Sequence, residues 1–205
     1  MIQKLRQWNN GNRSLIVTKL LRAKGLSVDR NLSVLDIPRV SAWGGGHITI
    51  GANVTLGVGV RIIVANGGEL TIEDGVIIRD YCNIECSGRM VIGRNTLLAN
   101  GVIIYCEGEV IIEPDVLIAA YCLIADVDHN IDRLDMPIRL QGNTAPCPIR
   151  IGAGAWLGTK VTVTKGISIG EGAVIGANAV VTKDIPALAV AVGMPARVIR
   201  FRSDK

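Results

Sequence analysis

The residue with the clearest potential for chemistry is His129, which stands between Asp128 and Asn130. Imidazole changes its charge near neutral pH, so an accessible histidine beside carboxylates can act as a general base for an alcohol or an amine. We expect Asp126 and Asp128 to orient the ring or to bind the acceptor. A histidine that only caps the following loop also fits. The other histidine of the chain, His47 in GGGHITIG, is expected to be structural.

Small and basic side chains that recur eighteen residues apart form a candidate ligand surface. These pairs are Thr159 with Ala177, Thr164 with Thr182, and Lys165 with Lys183. Arg197 and Arg200 are three residues apart and are expected to share a helix face. A long molecule with an anionic end suits this arrangement, because arginine suits phosphate. Taken singly, each basic side chain also fits a solvated surface charge.

The element that must position these residues is a repeat of six residues between Ile151 and Pro186. It reads IGAGAW, LGTKVT, VTKGIS, IGEGAV, IGANAV, VTKDIP, with an aliphatic residue first in every unit. A period of six fits neither a helix nor a simple strand, but it is typical of a parallel β-helix. Three units would close one triangular coil.

A longer repeat of twenty residues precedes this stretch. Ile72, Ile92 and Ile112 are twenty residues apart, and so are the members of a second series, Ile84, Ile104 and Ile124. Each of these coils is therefore three hexads plus two residues, and the extra pair falls at one corner. About six coils are expected, which gives a prism on the order of 29 Å tall at about 4.8 Å per coil.

The repeat is interrupted at DVDHN, the corner that holds His129. Residues 131–148 lack the hexad and contain Pro137, Gly142, Pro146 and Pro148, which predicts a projecting loop. Long loops in compact domains are usually functional. The β-helix is therefore predicted over residues 32–186, with this loop inserted.

The two ends of the chain are predicted to be helical. Residues 1–31 should contain a short amphipathic helix that ends near Gly25 and caps the first coil. The alternative is peripheral membrane contact, with Lys4, Arg6, Arg13, Lys19, Arg22 and Lys24 facing anionic lipid. Residues 187–205 should form a short C-terminal helix and tail.

The composition agrees with a narrow all-β prism of one domain. Only 3% of the 205 residues are aromatic although 49% are hydrophobic, as expected for a core of Ile, Val and Leu. A net charge of +4 does not indicate nucleic-acid binding.

Five cysteines without a CxxC pair or an export signal predict a cytoplasmic chain with reduced thiols. Cys82 and Cys122 fit inward positions. For Cys86 and Cys106, one coil apart, core packing is favoured over a redox or metal role.

The stretch from Ile112 to Arg200 resembles the hexapeptide-repeat acyltransferases, and most closely their sugar O-acetyltransferases of the maltose, galactoside and surface-polysaccharide type. The resemblance lies in DVDHNIDRLDMPIRLQ, in WLG, in VVTKDIP and in GMPARVIR. It implies a left-handed parallel β-helix, a homotrimer and acetyl-CoA bound between neighbouring prisms, with no metal. It also implies transfer of the acetyl group to a sugar or glycan hydroxyl in polysaccharide biosynthesis, with His129 as the general base.

The resemblance also implies which residues bind acetyl-CoA. Trp156 would line the cleft near the thioester, and Gly158 would permit close approach. Thr159 and Ala177 would meet the pantetheine arm through backbone groups. The residues at the nucleotide end would be Thr182, Lys183, Arg197 and Arg200.

One position departs from the pattern of the galactoside-type enzymes, which have an acceptor-site Asn eight residues before the catalytic histidine. Tyr121 stands at that position here, so the acceptor pocket should differ. The rival functions are N-acyl transfer to an amino sugar, serine acetylation, and a non-catalytic solenoid that only binds. A carbonic anhydrase on the same fold would need three histidines on zinc, and the chain has two.

Overall fold

An N-terminal helix covers the open end of the β-helix. The computed structural model describes residues 2–203, with side chains from residue 11 onward, and α1 spans Ile2–Ala23. Val17 and Leu21 of α1 are buried in the core that the first coil begins. Ser14 Oγ accepts a hydrogen bond from Val34 N (3.0 Å), and Arg22 donates to Val28 O (2.9 and 2.7 Å). The helix is longer than expected and has the predicted capping position.

α1 also carries exposed apolar side chains, which include Leu15, Ile16 and Leu20. The side chains of Lys4 and Arg6, which belong to the predicted basic face, lie outside the described residues. Within residues 2–203, no helix has both the length and the apolar character needed to span a bilayer.

The rest of the chain winds into stacked coils, and the prediction of a parallel β-helix is confirmed. Coils one and two contain β1 (Ser27–Val28), β2 (Ser33–Val34), β3 (Arg39–Ala42), β4 (His47–Ile50), β5 (Thr55–Leu56) and β6 (Arg61–Val64). Coils three to five contain β7 (Glu69–Ile72), β8 (Ile77–Ile78), β9 (Asn83–Cys86), β10 (Arg89–Ile92), β11 (Leu97–Leu98), β12 (Ile103–Cys106), β13 (Glu109–Ile112), β14 (Leu117–Ile118) and β15 (Leu123–Ala125).

The chain then leaves the prism in a loop with a 3₁₀ helix at Ile138–Leu140, and returns to complete two more coils. The remaining strands are β16 (Ile149–Ile151), β17 (Trp156–Leu157), β18 (Thr162–Val163), β19 (Ser168–Ile169), β20 (Val174–Ile175), β21 (Val180–Val181), β22 (Ala189–Val192) and β23 (Arg197–Phe201). Over the described range this gives seven coils of three strands and part of an eighth, rather than the six expected.

Successive coils contribute one strand to each of three parallel sheets. Sheet A begins with β1, sheet B with β2 and sheet C with β3, and each sheet follows every third strand as far as the seventh coil. Side chains alternate along the strands, and the inward ones form columns. In sheet A the column is one of isoleucines paired in register: Ile50, Ile72, Ile92, Ile112, Ile151 and Ile169. All of them are buried, which explains the spacings of twenty and eighteen.

Coil length varies at one corner only, where the chain passes from sheet C to sheet A of the next coil. We call this the C–A corner. His47 pairs with Glu69 and Glu69 with Arg89, so the second coil has 22 residues and the third has 20. The extra residues of the first two coils are glycine-rich, at WGGG and NGG. These insertions interrupt the six-residue repeat, so the number of coils expected from the sequence was too small.

Carboxylates at the corners connect adjacent coils by accepting backbone hydrogen bonds. Asp74 accepts from Ala52 N (2.7 Å) and Asp80 from Val58 N (2.9 Å). Asp126, which is fully buried, accepts from Glu107 N (2.9 Å) and Gly108 N (2.8 Å) through its two oxygens. These bonds satisfy amides that the coil itself leaves unpaired.

The predicted C-terminal helix is wrong. β22 continues sheet B in parallel to β20, and β23 then turns back and pairs with β22 in antiparallel fashion. Burial alternates along the first part of β22, where Ala189 and Ala191 are buried, as in a strand, whereas all five residues of β23 are exposed. Arg197 and Arg200 therefore lie on a strand and do not share a helix face.

Four of the five cysteines belong to the core, as expected. Cys82, Cys86, Cys106 and Cys122 are buried and Cys147 is half-buried. Burial raises the pKa of the Cys82 thiol to about 11 and also raises that of Cys122. Cys86 and Cys106 are cross-strand neighbours, and a hydrogen bond between their thiols, together with burial, raises the pKa of Cys106.

This burial predicts how the thiols react with Ellman's reagent. In the native protein we expect Cys147 to react within minutes and the four core thiols to stay protected, because they are enclosed and reaction requires an accessible thiolate. Denaturation should expose all five. Cys147→Ser should remove the fast phase, whereas fast labelling that survives this substitution would contradict the buried placement.

Candidate active site

His129 lies at the root of the loop, where β15 of sheet C would otherwise turn into β16. It forms an antiparallel bridge pair with Asn143 on the returning arm. On either side of this pair, Asn130 N donates to Gly142 O (3.0 Å) and Thr144 N donates to Asp128 O (2.8 Å). The loop therefore begins as a short hairpin, which fixes the backbone of His129 while its side chain remains exposed.

The two aspartates next to His129 have different surroundings. The carboxylate of Asp126 is used by the two backbone amides of the preceding coil, so its described contacts are structural rather than directed at the imidazole. Asp128 is exposed, and its carboxylate lies 3.5 Å from Lys165 Nζ on the next coil. Lys165 also donates to Thr144 Oγ1 (2.8 Å), so this lysine ties the hairpin to the prism.

His129 separates two concavities. On the side of the N-terminal coils, a cavity of about 500 Å³ runs along the C–A corner, and we call it the corner groove. Its lining consists of Trp43, Ile63, Ala65, Asn66, Glu85, Cys86, Ser87, Tyr105, Cys106, Glu107, Ala125, Val127, Asp128, His129 and Asn143. On the other side, the loop pocket of about 480 Å³ is lined by Asp128, His129, Asn130, Ile131, Asp132, Ile138, Thr144 and Lys165. An imidazole between two cavities can face one reactant in each.

The residues expected to bind acetyl-CoA do not meet on one chain. Thr182 and Lys183 follow β21 at the C–A corner, two coils beyond His129, where Val163 pairs with Val181. Thr159 and Ala177 stack at the B–C corner, where Asn178 N donates to Thr159 O (2.9 Å). Tyr121 lies at this B–C corner as well, with a φ of 60° and 63% of its side chain exposed.

Trp156 and Arg200 lie on the outer face of sheet B. They line a third cavity of about 460 Å³ together with Asp115, Leu117, Gly154, Ala155, Val174, Val190 and Arg202. The indole of Trp156 is 48% exposed. On a triangular prism the face of sheet B is opposite to the C–A corner, so Trp156 and His129 of the same chain point away from each other.

Two of the predicted ligand-binding residues also make contacts within the chain. Gly158 is buried, and a Cβ there would lie 2.7 Å from Ala177 N, so the close approach that it permits is that of the next coil. The Arg197 guanidinium donates to Ala196 O (2.9 Å) and does not line the cavity of Trp156. Sequence reasoning missed Arg202, which lines that cavity and donates to Gly172 O (2.8 Å).

Sequence reasoning also missed the corner groove. Trp43 and Tyr105 are far apart in the chain, and only the stacking of coils brings them to one cavity. The available signal was the corner insertion of the early coils, because extra residues at a fixed corner must build a ridge or a groove there. Asn143 from the loop reaches into the same region and donates to Glu107 Oε1 (2.7 Å).

Comparison with known proteins identifies the family. Residues 148–183 match a family model described as the hexapeptide repeat of succinyl-transferase. A putative lipopolysaccharide biosynthesis O-acetyl transferase of Escherichia coli is 32% identical over 163 residues, which cover 76% of this chain and 72% of that protein. The chain belongs to the hexapeptide-repeat acyltransferases.

Matches to two other acetyltransferases cover different shares of those proteins. A probable acetyltransferase of Mycobacterium tuberculosis is 37% identical over 158 residues, but the match covers 76% of this chain and 52% of that protein. The chain thus spans about half the length of that relative. The crystal structure of a maltose O-acetyltransferase from Clostridium difficile is 31% identical, with a TM-score of 0.51, and the match covers 77% of this chain and 69% of that one. As in this family, the β-helix is left-handed.

Among residues 2–203, no group of three or more His, Cys, Asp or Glu side chains is arranged to hold a metal ion.

The role of Asp126 can be tested by unfolding. Asp126→Ala would remove two partly buried hydrogen bonds from backbone amides to a carboxylate, each worth about 1.5–3 kcal/mol. We expect a clear loss in the free energy of unfolding, measured by urea denaturation. The matched control is Asp128→Ala, which removes an exposed carboxylate two residues away and should change stability little. Equal stability of the two variants would show that Asp126 does not pin the corner.

Proposed function

We propose that the protein is an acetyl-CoA-dependent O-acetyltransferase that acts on a sugar hydroxyl in the biosynthesis of a surface polysaccharide or another glycan. The observation that carries this proposal is the exposed imidazole of His129 between two cavities. The names of the relatives support it, since they include a lipopolysaccharide O-acetyl transferase, a galactoside O-acetyltransferase and a maltose O-acetyltransferase. Solved members of the family with similar folds are complexed with coenzyme A or acetyl-CoA.

The proposed reaction is direct transfer without a covalent enzyme intermediate. The acceptor hydroxyl approaches His129 from the corner groove, and the thioester approaches it from the side of the later coils. As the hydroxyl oxygen forms a bond to the thioester carbon, its proton passes to the imidazole. The tetrahedral intermediate then breaks its C–S bond, and the imidazolium returns the proton to the departing sulfur. The products are the acetyl ester and free coenzyme A.

The separation of the predicted acetyl-CoA residues suggests that each site is shared between chains. A carrier that reaches His129 at the C–A corner cannot also contact Trp156 on the opposite face of the same prism. In a homotrimer, the C–A corner of one chain can face sheet B and the B–C corner of its neighbour. We therefore propose that Thr182 and Lys183 act beside His129, and that Trp156, Thr159, Ala177 and Arg200 belong to the adjoining chain.

The role of His129 is tested by its replacement with alanine. His129→Ala should fold normally but lose about 10²–10⁴-fold in turnover, because a general base supplies that much. Transfer from acetyl-CoA to a panel of sugars is followed by release of free thiol and by the mass of the products. The panel includes amino sugars and serine, which would reveal N-acylation or serine acetylation.

The matched control is His47→Ala, since His47 is also exposed but lies on β4, away from the loop. It should keep full activity. Undiminished acetyl transfer by His129→Ala would remove that residue from the mechanism.

The shared site is tested by mixing two inactive variants. If His129 and Trp156 of different chains form one site, co-refolding His129→Ala with Trp156→Ala should restore activity at about a quarter of the sites in randomly mixed trimers. Each variant alone should stay inactive, and sedimentation equilibrium should give three times the mass of one chain. A mixture without regained activity would contradict a site shared in this way.

A further inference from the structure

The corner groove is much longer than a site for one sugar ring requires. It crosses the ends of all five sheet C strands from β3 to β15, with Trp43 at one end and His129 at the other. Four steps between neighbouring strands, at about 4.8 Å each, give a length of about 19 Å. The groove lies beside the longer coils, whose sheet C strands β3, β6, β9 and β12 have four residues, whereas β18 and β21 have two.

The lining of the groove combines flat rings with hydrogen-bonding groups. The indole of Trp43 is 56% exposed and the ring of Tyr105 is 38% exposed, although their neighbours in the core are fully buried. The lining also includes the carboxylates of Glu85 and Glu107 and the amide of Asn66. Aromatic faces suit the apolar faces of pyranose rings, while carboxylates and amides suit vicinal hydroxyls.

The charge of the groove distinguishes among possible acceptors. Glu85 pairs with Arg61, and although partial burial raises the pKa of the Glu85 carboxyl, hydrogen bonds from Arg61 and Asn83 outweigh this effect and lower it. Glu107 is held by Asn143. The described lining of the groove contains the carboxylates of Glu85, Glu107 and Asp128 and no lysine or arginine. Two cations lie beside it and are already paired, Arg61 with Glu85 and Lys165 with Asp128, so neither is free to bind a diphosphate, and the carboxylate of Glu107 would repel one.

We propose that the corner groove binds an extended neutral glycan, with the reacting sugar at His129 and a more distant sugar stacked on Trp43. The proposal rests on the proposed function, because it takes His129 as the reactive end. It narrows the acceptor to an oligosaccharide or polysaccharide chain, in contrast to a free monosaccharide or a nucleotide-linked sugar. Trp43 is then a specificity residue that acts on affinity and not on the chemical step.

The test measures binding as a function of glycan length. Calorimetric titrations use neutral oligosaccharides of one to six residues built from glucose, galactose, mannose or N-acetylglucosamine, with a thymidine-diphosphate sugar as the anionic comparison. In at least one series we expect affinity to rise with length and then to level off. Trp43→Ala should lower the affinity for the long members by about 2- to 10-fold and leave the monosaccharide unchanged.

Two variants control for loss of structure. Trp43→Phe keeps an aromatic face and should keep most of the gain with length. Tyr81→Ala removes a ring that is 68% exposed but lies outside the groove, and it should have no effect. If no series gains affinity with length, if the gain survives Trp43→Ala, or if the nucleotide sugar binds best, the proposal is overturned.

The titrations and the acetyl-transfer assay, compared with each other, separate this proposal from the proposed function. A gain with length that depends on Trp43 but is accompanied by no acetyl transfer in the wild-type protein would sustain the groove and refute the transferase. Acetyl transfer to monosaccharides alone, with no dependence on Trp43, would do the reverse.

Discussion

The stacking of coils through backbone hydrogen bonds is the constraint on which every other feature of the structure depends. Each strand donates to carbonyl groups of a neighbouring coil, as Leu97 N does to Val116 O and Ile103 N to Cys122 O, both at 2.9 Å. Between three sheets held in this way, the interior is filled by buried side chains, one from each two-residue strand and two from most of the four-residue strands. The isoleucine column of sheet A is the result. Residues about twenty apart in the chain thereby become neighbours, and chemistry can be assembled along an edge.

This stacking allows extra residues to be inserted at a corner but not within a strand. Extra residues within a strand would shift the columns out of register, so the insertions occur at the C–A corner, where they shift nothing. The glycine-rich turns after β3 and β6, the extra pair after β9 and β12, and the long loop after β15 are all at this place. The loop presents His129, and the smaller insertions build the groove that leads to it. The position of His129 and the groove that leads to it thus both depend on insertions that the C–A corner can accommodate.

The sequence predicted those parts of the structure that repeat, and it was least informative where neighbours are distant in the chain. The hexad and the spacing of Ile72, Ile92 and Ile112 predicted the parallel coils, and the break in the repeat drew attention to His129. The first coils were undercounted because glycine insertions disrupt the hexad. Trp43 and Tyr105 carry no local signal, since only stacking brings them together. At the C-terminus, a spacing of three between arginines suggested a helix, but pairing with β22 determined a strand.

The reversal of direction at β23 has a consequence for how copies of the molecule can associate. An open parallel edge could accept the first coil of another copy, and each addition would create the same edge again, which is the route to a filament. In sheet B this edge is occupied by an antiparallel strand that carries Arg197 and Arg200, and α1 covers the opposite end. These two elements block the addition of further coils at the edges that they cover.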